Sequence, residues 1–190
     1  MSAKYYLTVL SPPDRVDIKI NAFKRACFNH IGKFQGLHAR AHITLDVIRD
    51  EIDPISQKPR IIGPFYDMVD FIIRRSITTH EIRITGFNFF SHGSNFKTIY
   101  AEIELGKETT DWFNAIKALL MIKTLVPHIT IARKIPVEAF DKLWPHFVKI
   151  NYKDAFLADG ITILENGTDN KFEAYKVYKK IPFDRKMAVA

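Results

Sequence analysis

Apolar residues recur along this chain with two spacings, one suited to strands and one to helices. Tyr5–Leu10 is a mostly apolar run closed by Pro12 and Pro13, and it reads as a buried first strand. From Asp14 to Ile31 the residues Val16, Ile20, Phe23, Cys27 and Ile31 return three or four positions apart, which places them on one helix face. Gly32 follows as a C-cap, and Cys27 reads as part of the core. Ala41–Ile48 is predicted as a strand, β-branched at Ile43, Thr44, Val47 and Ile48. A polar loop with Pro54 and Pro59 comes next. Pro64 then marks the start of a second helix with Phe65, Met68, Val69, Ile72 and Ile73 on its apolar face. Glu81–Phe90 and Lys97–Leu105 read as two strands joined by a loop over Ser91–Asn95.

The second half repeats the rhythm. Thr109 or Thr110 is placed to cap a helix carrying Trp112, Phe113, Ile116, Leu119 and Leu120. Leu125–Ala132 is predicted as a strand. Pro136 opens a further helix with Phe140, Leu143, Trp144 and Phe147, which Pro145 should kink or shorten. Strands at about Ala158–Glu165 and Phe172–Lys180, around a turn at Asn166-Gly167, close the chain, and the tail after about residue 182 is expected to fray. No linker divides the chain, so residues 1–190 are read as a single bilobal domain.

Composition narrows the classes. The 190 residues are 47% hydrophobic and 13% aromatic, too apolar for a disordered chain. Cys27 is the single cysteine, which excludes an internal disulfide and a cysteine-based zinc site, and a reducing, cytoplasmic setting is expected. Apolar runs are far shorter than the ~20 residues of a membrane helix, and the first ten residues do not build an export signal. The net charge of +7 is spread evenly over both halves, as on an ordinary solvated surface or around a groove for a phosphate-bearing partner.

One feature stands above this background. His42-Ile43-Thr44-Leu45 and His128-Ile129-Thr130-Ile131 share one pattern, one copy in each half. Chance supplies roughly 0.1 copies in a chain of this composition. Both copies fall on predicted strands, where alternate side chains share a face. Each motif therefore offers one imidazole and one hydroxyl on a common surface, with apolar neighbours turned into the core. If the halves pack about a pseudo-twofold axis, the two surfaces meet across a cleft. Such a site suits a phosphodiester. One imidazole can take a proton from the attacking oxygen while the other gives one to the leaving oxygen. Thr44 and Thr130 can hydrogen-bond the non-bridging oxygens, and Arg133 can neutralise developing negative charge. Neither motif contains a carboxylate, so no metal site is expected.

Paired motifs of this kind on strands of two related lobes resemble the signature of the 2H phosphoesterase superfamily. The stretch Pro127-His128-Ile129-Thr130-Ile131-Ala132-Arg133 resembles the second motif of its bacterial 2′-5′ RNA ligase/2′,3′-cyclic phosphodiesterase branch. Thr85-Gly86-Phe87-Asn88-Phe89-Phe90 is similar to the segment before the central hairpin of those proteins. The resemblance runs from about Tyr5 to about Phe147. It implies an α+β fold of two pseudo-symmetric lobes of antiparallel sheet, with helices outside and an active-site cleft between the lobes. It further implies a metal-independent, cofactor-free enzyme, expected as a monomer, that opens 2′,3′-cyclic phosphates at RNA ends or in small nucleotides, with reversible 2′-5′ ligation as a related activity. The residues carried over are His42 and His128 as the catalytic pair and Thr44, Thr130 and Arg133 as substrate contacts. The resemblance favours His128 as base and His42 as acid in hydrolysis. Alternatives are a non-catalytic module of the same fold that holds an RNA end or nucleotide, and a structural protein in which the motifs are incidental. The remaining histidines, His30, His38, His80 and His146, read as structural. His92 lies in a loop near Phe89, Phe90 and Phe96, where a base can stack, although a hairpin loop over a core cluster is the favoured reading.

Overall fold

The computed structural model describes residues 3–166 and 175–184. Among these residues eight strands form one open antiparallel sheet in the order β6-β3-β4-β5-β2-β1-β7-β8. One half of it holds β1 (Ala3–Leu10), β2 (Ile43–Glu51), β7 (Gly160–Asn166) and β8 (Lys176–Pro182). The other holds β3 (His80–His92), β4 (Phe96–Ile103), β5 (His128–Pro136) and β6 (Asp154–Ala158). The halves are joined along the sheet by a single residue pair, Ile43 of β2 opposite Ile129 of β5. The fold is thus α+β with two related lobes, but the lobes are not successive halves of the chain. The lobe carrying the second motif is contiguous, whereas the first-motif lobe is completed by the last two strands.

Among the described residues there are four helices: α1 (Asp14–Ile31), α2 (Ile62–Ser76), α3 (Lys107–Leu119) and α4 (Val137–Phe147). The α1 helix has the bounds its periodicity predicts. It ends where Gly32 takes a φ of 73° and donates its N–H to the Phe28 carbonyl. It follows β1 in the chain yet packs against β5 and α4, so it crosses the seam between the lobes. The α2 helix starts earlier than Pro64 because buried Asp50, on β2, accepts the backbone N–H groups of Ile61 and Ile62 at 2.8 Å each. A carboxylate reaching in from a strand acts as the cap, and no local pattern announces it. Similarly, α3 begins at Lys107 after Gly106 rather than at a threonine cap, and Thr110 donates its N–H back to the Gly106 carbonyl. Pro145 sits in the last turn of α4, which ends two residues later at Phe147.

The short edge strand β6 has no counterpart in the sequence reading, and β2 and β5 begin later than predicted, at Ile43 and His128. The expected turn at Asn166-Gly167 and the start of the expected strand at Phe172 lie outside the described residues. Residues 183 and 184 are still part of the fold. Phe183 is buried, and Asp184 exchanges backbone hydrogen bonds with Ile77 and Thr79 at 2.8 and 2.9 Å. Residues 185–190 of the expected frayed tail lie outside the described residues. No described helix is long and apolar enough to cross a membrane.

The seam is built from completely buried β-branched side chains. Ile43 and Ile129 are both fully enclosed, within one continuous core that includes Ile20, Ile99 and Ile131. Ile43→Ala should cost about 2–5 kcal/mol, the usual range for truncating an enclosed aliphatic side chain, and a denaturant or thermal melt reads it directly.

Candidate active site

The Ile43–Ile129 pair fixes the geometry of both motifs. In an antiparallel ladder the flanking positions face one another crosswise, so extending the register sets His42 toward Thr130 and Thr44 toward His128. With Ile43 and Ile129 turned into the core, all four polar side chains turn to the opposite face. Burial follows this alternation: His42, Thr44, His128 and Thr130 are half-buried, whereas Ile43, Leu45, Ile129 and Ile131 are buried. The fourth residue of each motif is also an extra residue in its ladder. Thr44 and Asp46 pair with Val9 and Thr8, passing over Leu45. Thr130 and Ala132 pair with Tyr100 and Ile99, passing over Ile131. The same bulge thus ends both motifs and bends both strands at equivalent points.

The two imidazoles are held alike. Nδ1 of His42 lies 2.7 Å from the Arg40 carbonyl oxygen, and Nδ1 of His128 lies 2.7 Å from the Val126 carbonyl oxygen. A carbonyl has no proton to give, so each Nδ1 is the donor. Each Nε2 is left as the nitrogen that gains and loses a proton. Burial pushes the pKa of His42 below its ordinary value, opposed by the Arg40 carbonyl and assisted by the charges of Lys24, His128 and Arg133. Burial also lowers His128, opposed by the Val126 carbonyl and assisted by Arg133. Each imidazole is therefore biased toward its neutral form.

Arg133 is exposed on β5, and its charge bears on both imidazoles. Its backbone bridges to Gln35, in the segment between α1 and β2. The next residue, Lys134, has a φ of 49°, a left-handed conformation uncommon for lysine. Thr98 Oγ1 accepts the Lys134 N–H at 3.0 Å and lies 2.9 Å from His92 Nε2. His92 thus supports the strand behind Arg133 rather than facing the cleft as a base platform.

A cleft of about 460 Å³ spans the seam, lined by Thr44, Asp46 and Val47 on one side and by Phe90, Val126 and His128 on the other. On the second-motif side Phe90 lines the cleft, backed by buried Tyr100. The Phe90 ring stacks on Tyr100 at 4.2 Å and meets the His128 ring edge-on at 5.0 Å. Tyr100 is also 5.2 Å from that imidazole. Val9 on β1 holds the register position equivalent to Tyr100, so the first-motif wall has no matching ring there. Tyr100 is not legible as a site residue in the sequence, because its place beside His128 depends on the β4–β5 register. The sequence suggests a stacking role for Phe90, but with the His92 loop rather than with His128. The structure brings His42, His128 and Arg133 into one electrostatic neighbourhood and sets Thr44 and His128 on one cleft, while the place of Thr130 follows from register. His80 stacks on Trp112 and His30 on His146, away from the motifs. Among the described residues, no three His, Cys, Asp or Glu side chains converge as metal ligands would.

No family model and no curated protein matches the chain. Solved structures do. TT0787 of Thermus thermophilus superposes with a TM-score of 0.68 at 16% identity, covering 96% of this chain and 100% of that one. E. coli LigT complexed with 3′-AMP gives a TM-score of 0.59 at 10% identity, covering 96% of this chain and 99% of that one. Usb1 of Kluyveromyces marxianus gives 0.50 at 10% identity, covering 95% and 98%. At these identities the likeness is one of fold, and it extends over the C-terminal strands that the sequence resemblance did not reach. The chain has the fold of the 2H phosphoesterases.

Proposed function

We propose that this protein is a metal-independent phosphoesterase that hydrolyses 2′,3′-cyclic phosphates at RNA ends or in small nucleotides, with reversible 2′-5′ ligation, in which a 5′-hydroxyl takes the place of water and the 3′-oxygen leaves, as a related activity. The observation that carries the reading is the matched pair of imidazoles, each tied through Nδ1 to the carbonyl two residues back, on the strands that meet at the seam. E. coli LigT has been crystallised with 3′-AMP, phosphate, ATP and NADP+, which supports a phosphate-bearing nucleotide as the occupant of the equivalent cleft here. One chain supplies both motifs, so a monomer suffices.

In the proposed reaction one neutral Nε2 takes a proton from water as the water oxygen bonds to phosphorus. The ring P–O bond breaks, and the protonated Nε2 of the other imidazole gives its proton to the departing ribose oxygen. Following the resemblance, His128 is the base and His42 the acid in this direction. Thr44 and Thr130 hold the non-bridging oxygens, and Arg133 offsets the charge that grows on them. The Phe90–Tyr100 wall lies beside His128, where a base can rest against a ring face.

His42→Ala and His128→Ala should each lower turnover of a nucleoside 2′,3′-cyclic phosphate by about 10²–10⁴-fold. Thr44→Ala and Thr130→Ala should cost less, since each removes one hydrogen bond. The double histidine variant should lose less than the product of the single losses. Near-parental rates for both single histidine variants would sink the proposal.

The pH profile of kcat/KM should be bell-shaped, with both limbs lower than two ordinary imidazoles would set. A lowered pKa frees the base at lower pH, moving the acidic limb down. It also strips the acid at lower pH, moving the alkaline limb down. Limbs at or above the ordinary imidazole range would contradict this electrostatic account. Turnover should also survive EDTA, and loss of activity restored by a divalent cation would overturn the mechanism.

A further inference from the structure

The two motifs are alike in register but not in what lies behind them. The buried stripe of α1 contains two charged residues, Asp17 and Lys24, among Val16, Ile20 and Cys27. Lys24 is only 3% exposed. Its Nζ donates to the carbonyl oxygens of Gly36 at 3.1 Å and Ala39 at 2.6 Å. Two turns earlier, Asp17 Oδ1 accepts the backbone N–H of Ala41 at 2.6 Å and the side-chain amide of Asn21 at 3.0 Å. Its other oxygen lies 3.3 Å from Arg40 Nε. Residues 39, 40 and 41 are therefore each gripped by α1, and it is the Arg40 carbonyl between them that receives His42 Nδ1.

The second motif has no such device on its helix. The buried residues of α3 are Trp112, Phe113 and Ile116, all apolar. The chain entering His128 instead passes over a small cavity of about 80 Å³ that includes Phe113, Leu125 and Pro127 in its lining.

An ammonium is costly to bury unless its protons are well placed. A methionine would fill this stripe position at no such cost. The placement of the Lys24 protons, on two carbonyls of the turn that leads to a proposed catalytic histidine, gives the charge a use there. We propose that Lys24 is a positioning residue for His42, acting with Asp17 to fix the turn that carries its imidazole. The proposal rests on the phosphoesterase reading for its catalytic consequence, but not for its structural one. Burial pushes the Lys24 ammonium down to about 8, opposed by Asp17, so it is still largely protonated at neutral pH. The charges that bear on His42 are Lys24 from α1 and His128 and Arg133 from β5. Lys24 is not among the charges that bear on His128. Of the two imidazoles, it is His42 on which the Lys24 charge bears.

The test is an NMR titration of the histidine rings in the parent and in Lys24→Met, paired with steady-state kinetics on a nucleoside 2′,3′-cyclic phosphate. Loss of the nearby cation should raise the pKa of His42 and leave that of His128 in place. The limb of the pH–rate profile governed by His42 should move to higher pH. Turnover at the parental optimum should fall about tenfold with KM little changed, as expected for a misplaced reacting group. Lys24→Gln keeps a donor without the charge and is read in the same way if Lys24→Met does not fold. An unmoved His42 pKa together with parental kcat would overturn the proposal. The titration needs no substrate. A parent protein without turnover tells against the phosphoesterase reading, and an unmoved His42 tells against Lys24, so the two failures are distinct.

Discussion

Everything proposed for this protein depends on the pairing of Ile43 with Ile129. That pairing links two four-stranded half-sheets along the ladder, and because it lies at the second residue of both motifs, it decides where four polar side chains point. A shift of one residue on either strand would exchange faces, sending one imidazole and its threonine into the core and an isoleucine toward solvent. The completely buried isoleucines make that exchange prohibitive. Hydrophobic burial at the seam is therefore the force that holds the candidate site in register. The matching bulges at Leu45 and Ile131 then bend both strands directly after the site.

Near-symmetry of the backbone does not make the two sides equivalent. One imidazole lies against an aromatic wall formed by Phe90 and Tyr100, and the other is backed by a helix that carries buried charges. Each is biased toward neutrality mainly by burial, but by a different set of neighbouring cations. A reaction that needs one base and one acid requires such a difference, and an identical pair could not supply it without help from the substrate.

The motif pair was legible in the sequence, and parts of the fold around it were not. The motif was legible because its histidine and threonine lie within four positions and repeat in the second half, so chance was a poor explanation. The α1 bounds were legible because its apolar spacing and Gly32 agree. What failed to show locally was whatever depends on distant partners. Asp50 caps α2 from another element, and Lys24 reads as an ordinary helix lysine until its carbonyl partners are known. The edge strand β6 is too short to carry a pattern of its own and takes its structure from β3. The exchange of strands between lobes was equally hidden, since apolar alternation says that a strand exists but not which strand it will join.

That exchange has a consequence for how the chain assembles. Strands β3 to β6 and helices α3 and α4 lie between residues 80 and 158, so the second-motif lobe can collect its own neighbours as soon as that stretch has left the ribosome. The first-motif lobe cannot. β1 waits for β7, which lies far along the chain, with Tyr5 opposite Asn166 at the extreme, and closing a loop of that length is a late and entropically costly event. Until then β1 presents an open edge. During synthesis the half-sheet bearing His42 is thus the aggregation-exposed one, and its completion marks the end of folding.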